Sequence, residues 1–564
     1  MSSSKDDDIR VVVAIDFGTT YSGYAFAHKS DPKNIIVQDK WMDSIGYKTP
    51  TIIKYQDDTF TTVKSWGYSA MVKKPRKKNS SQLNMELFKL LLLNSSSMEL
   101  SLPDNLDYKK VITDYLKKLC EMIKKSLSNR WKDLHFYTNV LTVFTIPAEF
   151  DDDAIQTMRE CAFDARFTIE KFSRNLIFTT EPEAAAVYCL DSLKATYKLK
   201  PGGKVSNQQR IMIESFMVVD CGGGTVDLSR HEILTNNGLS ELTERTGESC
   251  GSSFIDKKFV EFLGNKLGKN AIELIKKNHK SFIQYMVQEF CRRVKIPFTG
   301  RKLDFKDYKI ELDDYPWIKD IIEGEEKRSL RNNDWSITVR FNDVKKMFDP
   351  IINEIIDLIR DQLEKDHAKC SAIMFVGGFG ESKYLLYKIR REFRNVVPIS
   401  MINEAPKPIV AVVKGGVQFG LQNEIVVNRV LKRTYGTDIV RRSLPNDPAT
   451  QRLPNGYTII FETLARRGNQ VSTNEKVTRY YKPSSLTQSN ISFDMYVTNR
   501  HNVKFCDEPG VKLLRNWEIE SEIDGYDDDT TIIFILNFGT VEILATAERK
   551  NGKGKRDHVT FKCE

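Results

Sequence analysis

Long hydrophobic runs are missing from this sequence. Apolar stretches such as residues 87–93, interrupted by Lys89, fall far short of the roughly 20 residues a helix needs to cross a bilayer. No membrane span is expected. Cysteine pairs are missing too: nine cysteines, at 120, 161, 189, 221, 250, 291, 370, 506 and 563, form no Cys-x-x-Cys spacing, which argues against zinc and against a disulfide framework. They read as reduced thiols. The opening Met1-Ser-Ser-Ser-Lys-Asp-Asp-Asp-Ile9 has no basic stretch followed by an apolar core. It reads as neither a secretory signal nor a transit peptide, so a cytoplasmic protein is expected. Charge of one sign is scarce as well. The 85 basic residues exceed the 76 acidic ones by a net +9 over 564 residues, thin support for a polyanionic partner, and no nucleic acid partner is expected. The densest basic run, Lys73-Lys-Pro-Arg-Lys-Lys78, reads as a solvated loop broken by proline.

What the chain does have is the composition of a folded protein, 40% hydrophobic and 29% charged, which excludes disordered and fibrous classes. Its length implies roughly three to five folding units. Val11-Val-Val-Ala-Ile15 is apolar throughout, as befits a strand buried on both faces, and it ends in Asp16-Phe-Gly-Thr-Thr20. About two hundred residues later the arrangement recurs: Phe216-Met-Val-Val219 runs into Asp220-Cys-Gly-Gly-Gly-Thr-Val-Asp227. A third strand, Ala372-Ile-Met-Phe-Val376, runs into Gly377-Gly-Phe-Gly-Glu381 and a helical pattern over 384–389. Helices are predicted at 108–127, 154–163, 254–267 and 344–363 from apolar residues every three or four positions. Strands alternating with helices indicate layered α/β lobes. After about residue 423 helical periodicity fades and strand-length segments at 457–461, 491–497, 531–536 and 541–546 predict an all-β unit.

The two glycine turns carry the chemistry. Gly222-Gly-Gly-Thr225 lacks the β-carbons that would hold a ligand away, so successive backbone N–H groups can form an anion-binding concavity. Phosphate suits it. Asp16 and Asp220, at the ends of the preceding strands, would stand beside those phosphates, which is tolerable if a cation lies between. Hydrated magnesium meets that need. One such turn alone is weak, since glycine-rich hairpins are common; two matched copies are much stronger. The P-loop and the Gly-x-Gly-x-x-Gly dinucleotide signatures are both missing, which disfavours their folds.

Four motifs, in order, resemble the phosphate 1, connect 1, phosphate 2 and adenosine motifs of the actin, sugar kinase and heat-shock ATPase superfamily. They are Asp16-Phe-Gly-Thr-Thr-Tyr-Ser22, Thr180-Glu-Pro-Glu-Ala-Ala-Ala-Val187, Asp220-Cys-Gly-Gly-Gly-Thr-Val-Asp227 and Val376-Gly-Gly-Phe-Gly-Glu-Ser382. Their wording is similar to the heat-shock protein 70 family, most of all its divergent branch typified by heat shock 70 kDa protein 12. The resemblance covers about 10–422 well and 423–564 more loosely. It implies an α/β fold: an actin-like two-lobed ATPase domain with duplicated RNase H-like cores, over 10–422, followed by a β-sandwich-like domain at 423–564, with residues 1–9 disordered.

The resemblance also implies ATP or ADP with magnesium. Asp16 and Asp220 would meet the metal through water; Gly18, Thr19, Thr20 and Tyr21 would line the first turn, and Gly222, Gly223, Gly224 and Thr225 the second. Glu181 would orient the attacking water, Asp227 matches the second aspartate of its motif, and Lys89 is the best match for the lysine on the γ-phosphate, with a surface lysine on a helix as the alternative. Gly377 and Gly378 would approach the adenosine, although Phe379-Gly-Glu-Ser382 replaces the basic residue usual there. Lys295 is the match chosen from Glu289-Phe-Cys-Arg-Arg-Val-Lys295, where the register is open. Lys407 stands where the family has an aspartate. The family's acidic leucine-rich linker is replaced by Asn423-Glu-Ile-Val-Val-Asn-Arg-Val-Leu431, and no helical lid pattern follows the last strands. The expected function is a monomeric chaperone-type ATPase that binds unfolded or client polypeptide, with J-domain proteins and exchange factors as the family's partners. The rivals are an ATP-binding signalling scaffold with negligible hydrolysis and a small-molecule kinase, the latter needing a further general-base aspartate for which no motif is present.

Overall fold

The structure, a computed structural model, describes residues 8–42, 44–74, 84–93, 102–196, 213–235, 238–366, 369–422, 425–481, 490–520, 531–538, 541–549 and 559–563. They gather into two compact units. One takes in 1–150, 157–229 and 246–422; the other takes in 151–156, 230–245 and 423–564. Of residues 1–9, expected to be disordered, 1–7 lie outside the described residues, while Ile9 is already buried. Most of the basic run at 73–78 and the first two linker residues, 423 and 424, also lie outside them.

In the first unit a strand that is buried along its full length starts each lobe, and its apolar sequence is the reason. Val11–Asp16 pairs in parallel with Val140–Ile146, which pairs in parallel with Leu176–Thr180; on its other side lies antiparallel Tyr21–His28. The second lobe repeats this plan. Ser215–Cys221, also wholly buried, is parallel to Ala372–Val376, which is parallel to Ile402–Glu404, and Val226–Ile233 is its other neighbour. Each glycine turn therefore joins a buried strand to the next strand along the same sheet. Layers covered on both faces demand such uninterrupted apolar runs.

The predicted helices are present as Tyr108–Arg130, Asp152–Asp164, Ser253–Leu267 and Phe341–Glu364. Tyr108–Arg130 starts at Asp107, whose carboxylate accepts the Lys109 N–H at 3.2 Å. It buries Val111, Tyr115, Leu119 and Ile123, one helical stripe. Glu181–Thr196 lies against Ala411–Leu421. The two come so close that a β-carbon on Gly415 would overlap the Ala184 carbonyl. This close packing of small residues fixes where Glu181, the first residue of its helix, can stand.

Apart from the start of the Asp152–Asp164 helix, the second unit is built from strands, and among the described residues no α-helix follows Leu421. Its linker region forms a strand, Val426–Val430, parallel to Leu239–Glu241 and antiparallel to Gln470–Ser472. One four-stranded sheet runs in the order Tyr457–Ala465, Thr434–Arg442, Asn490–Thr498, Val511–Glu520. Another runs Lys476–Tyr481, Ile532–Asn537, Ile543–Arg549, Val559–Cys563. Leu464, Phe493 and Met495 of the former share an apolar cluster with Ile532, Phe534 and Leu536 of the latter. The rings of Phe493 and Phe534 stack 5.8 Å apart. Among the described residues no helix is long and apolar enough to cross a membrane, and the described cysteines are free thiols.

Candidate functional site

The first glycine turn folds back tightly: a β-carbon on Gly18 would overlap the Tyr21 carbonyl. Thr19 is buried and Thr20 half-buried. In the second turn the Gly222 N–H donates to the Thr225 carbonyl at 3.0 Å. The carbonyls of Gly222, Gly223 and Gly224 accept from the N–H groups of Ser252, Ser253 and Gly251, at 3.1, 2.8 and 3.0 Å. In a trans peptide the C=O and the following N–H point opposite ways. The N–H groups of Gly223, Gly224 and Thr225 are thereby turned away from the Ser253–Leu267 helix, the arrangement of an anion-binding nest. The two turns stand face to face across the lobes. A side chain on Gly223 would overlap the Thr20 hydroxyl, and one on Gly224 the Thr19 hydroxyl.

Four carboxyl groups gather beside the turns: Asp16, Glu181, Asp220 and Asp227 are exposed by 8% or less. Two ammonium groups serve them. Lys89 Nζ donates to Glu181 Oε1 at 2.7 Å and lies 5.7 Å from the ring centres of Phe17 and Phe150. It is carried by the short helical turn Phe88–Leu92, entered through Leu87 in a left-handed conformation. The surface-lysine alternative is therefore wrong: Lys89 is buried. Lys48 Nζ donates to Asp16 Oδ2 at 2.6 Å.

Positive charge remains short, and the carboxyls show it. Burial first, then the charges of Glu181, Asp16 and Asp227, hold the Asp220 carboxyl well above the ordinary range, against the pull of Lys48. Burial likewise raises Glu181 despite Lys89. Asp227 is pushed up to about 7 by burial and then by the charge of Glu181, although its Oδ1 accepts the Ala148 N–H at 2.7 Å.

The residues fit a phosphate chain, since the nest and the glycine faces give it backbone donors and room for close approach. They do not fit magnesium in the expected place. An all-carboxylate pair would suit that hard cation. But one Asp16 oxygen, Oδ2, is already taken by the Lys48 ammonium at 2.6 Å, and among the described residues no three carboxylate, imidazole or thiol groups are placed to hold a metal ion between them.

Toward the expected adenosine side the placements are mixed. Gly377, at φ +77°, abuts Asp220 and Cys221 so closely that a β-carbon would overlap the Asp220 carboxylate; Gly378 faces open space. Phe379 turns inward, its ring 6.3 Å from Phe348, so it is not on offer to a base. Lys295 ends a π-helical turn, Cys291–Lys295, and its ammonium grips both oxygens of Asp256 at 2.6 and 2.7 Å and the Ser252 carbonyl at 3.2 Å. It still bears on Tyr21, whose phenol burial pushes up to about 12 while the Lys295 charge opposes the rise. Arg293, Phe298, Arg301 and Phe305 line a cavity of about 210 Å³. Sequence reasoning missed Lys48, which sits in the unpatterned Tyr47-Lys-Thr-Pro50, and Asp256, which looks like any polar residue of an amphipathic helix.

Two repeated mixed sheets that each send a glycine turn to one cleft are consistent with the class of actin-like ATPases. Within that class, the chain is similar to heat shock 70 kDa protein 12A of Mus musculus, 26% identical over 613 residues covering 96% of this chain and 90% of that protein. It is similar to heat shock 70 kDa protein 12B of Homo sapiens at 26% over 619 residues, 95% and 89% of the two. Chaperone protein DnaK of Thermoplasma volcanium matches at 22% over 363 residues, 63% of this chain and 52% of that protein. A family model described as a domain of unknown function, DUF8340, matches residues 211–404. The likeness to the heat-shock 70-like ATPases, in their divergent heat shock 70 kDa protein 12-like branch, thus runs along nearly the whole chain.

Proposed function

We propose that this protein is an atypical heat-shock 70-like ATPase that binds ATP between its two glycine turns and hydrolyses it slowly. The observation that carries the reading is the face-to-face placement of the two turns with the buried Lys89–Glu181 pair beside them. In this reading the N–H groups of Gly223, Gly224 and Thr225 hold the phosphates, Thr19, Thr20 and Tyr21 close the other side, and Asp220 and Asp227 border the chain of charge. Lys89 meets the γ-phosphate, and Glu181, released from it, orients the water for in-line attack. Developing charge is met by backbone donors and ammonium groups already in position, which suits phosphoryl transfer. The two sheets of the second unit would form a β-sandwich that holds an extended client segment by strand pairing plus a side-chain pocket, under control of the nucleotide state. The shared apolar cluster of Phe493, Met495, Phe534 and Leu536 supports that packing. A relative named a chaperone protein supports the client class. A cytoplasmic monomer served by J-domain proteins and exchange factors completes the reading.

A second reading, an ATP-binding scaffold with negligible turnover, is favoured by one observation: the carboxylate that should position water is tied to Lys89. Single-turnover hydrolysis separates the two. Turnover in the wild type, lost in Glu181→Gln and Asp220→Asn while Glu181→Gln still binds ATP, supports the ATPase; binding without turnover supports the scaffold.

A further inference from the structure

The disagreement over the metal has a cause in one residue, Lys48. Its ammonium lies 2.6 Å from Asp16 Oδ2, and its side chain is only 11% exposed. The backbone around it is pinned from several sides. Thr49–Pro50 pairs with Tyr21 and Ser22, the start of the strand that leaves the first glycine turn. The Tyr68 hydroxyl donates to the Lys48 carbonyl at 3.2 Å, and a β-carbon on Gly23 would come within 2.9 Å of the Tyr47 carbonyl and 3.1 Å of Lys48 Cγ. Lys48 is thus built into the same layer that carries Thr19 and Thr20. It is not a surface chain that happens to fall inward.

Its electrostatic surroundings are those of a site cation. The charges of Asp16, Asp220 and Glu181 all bear on its ammonium. Its charge also bears on Glu381, beyond the third strand of the second lobe. The ammonium is therefore within reach of the field of carboxylates from both lobes. An ammonium has three N–H donors; the one spent on Asp16 leaves two for phosphate oxygens. It is a compact, strongly hydrated point charge, as suits a phosphate contact. A divalent ion placed on the same carboxylate would have to displace it, or bear its repulsion at close range in a poorly screened cleft.

We propose that Lys48 is a tethered counter-cation: its ammonium takes the position beside Asp16 where a free divalent ion would sit, and bridges that carboxylate to the nucleotide's phosphates, so that the chain binds nucleotide without divalent metal. The inference rests on the nucleotide reading above and adds to it that the cation is part of the chain. The sequence gives no hint of this, because a lone lysine ahead of Thr-Pro matches no phosphate motif.

The test is titration of ADP into the whole protein by calorimetry, in EDTA and again in excess magnesium, for wild type, Lys48→Met and Lys48→Arg. In the wild type the affinity in EDTA is expected within about threefold of that in magnesium. Lys48→Met should bind about tenfold or more weakly in EDTA and recover with magnesium, while Lys48→Arg should stay close to wild type. A wild-type affinity that falls tenfold or more in EDTA overturns the inference while leaving the nucleotide reading intact, whatever the variants do. An absence of ADP binding in both buffers overturns the nucleotide reading and the inference with it. A Lys48→Met variant that binds ADP in EDTA as tightly as the wild type also overturns the inference, and Lys48→Arg, which keeps the charge, serves if the methionine variant fails to fold.

Discussion

Lys89 and Glu181 form an ion pair at 2.7 Å whose side chains are 4% and 11% exposed, reached from a short helical turn on one side and a helix N-terminus on the other. A pair so far from water is held together by mutual need: either charge left alone would be desolvated without compensation. Lys89→Met is expected to cost about 3–5 kcal/mol in chemical denaturation. The double variant Lys89→Met/Glu181→Gln should cost much less than the sum of the single changes. Additive costs would show that the two do not depend on each other.

The facing turns give a steric prediction. Gly223→Ala drives a methyl group into the Thr20 side chain, and the clash is with that side chain alone among its three nearest neighbours. Overpacking of this kind costs about 1–3 kcal/mol. The alanine variant should lose the nucleotide-induced rise in melting temperature, and Gly223→Ala/Thr20→Ala should regain part of it. A double variant no better than the single one would mean the turns do not meet.

Asp227 sets a pH dependence. Its carboxyl titrates at about 7 in the folded protein against 3.8 when free. Below about 3.8 it is protonated in both states and contributes nothing. As pH rises from there to about 7, the unfolded chain gives up the proton and the folded one keeps it, so stability falls; above about 7 the loss is complete. The melting temperature should therefore decline from pH 5 to pH 8, and the decline should be shallower in Asp227→Asn, which retains an acceptor for the Ala148 N–H. Parallel profiles for the two proteins would remove Asp227 as the cause.

Gly415 tests how the fold holds Glu181. A β-carbon there collides with the Ala184 carbonyl, backbone that cannot swing aside. Gly415→Ala should push the Glu181–Thr196 helix off its seat, lowering stability by about 1–3 kcal/mol and slowing single-turnover hydrolysis more than it weakens ATP binding. Equal loss of binding and turnover would argue for general unfolding of the cleft.

Much of the first unit could be read from the sequence because its signals are local. Val11–Asp16, Ser215–Cys221 and Ala372–Val376 are apolar runs ended by glycine turns, and each strand is in place. Lys89 is legible only as a local match to the lysine that the resemblance implies, and its burial excludes the surface alternative. What could not be read depends on distant partners. Lys48 acquires its role only when pairing of Thr49–Pro50 with Tyr21 and Ser22 brings it to Asp16. The same holds for Leu239–Glu241, whose parallel partner, Val426–Val430, comes from the linker region far along the chain. Lys295 shows the reverse: the residue was singled out, but its ammonium is committed to Asp256, a partner no spacing rule pointed to.

In the proposed function, ATP binds where the two glycine turns face each other. Equilibrium dialysis of radiolabelled ATP against the whole protein tests it most directly, with wild type, Gly223→Ala and Glu181→Gln side by side. One saturable site is expected in the wild type, retained in Glu181→Gln and lost in Gly223→Ala. No saturable binding in the wild type, or binding untouched by Gly223→Ala, would contradict it.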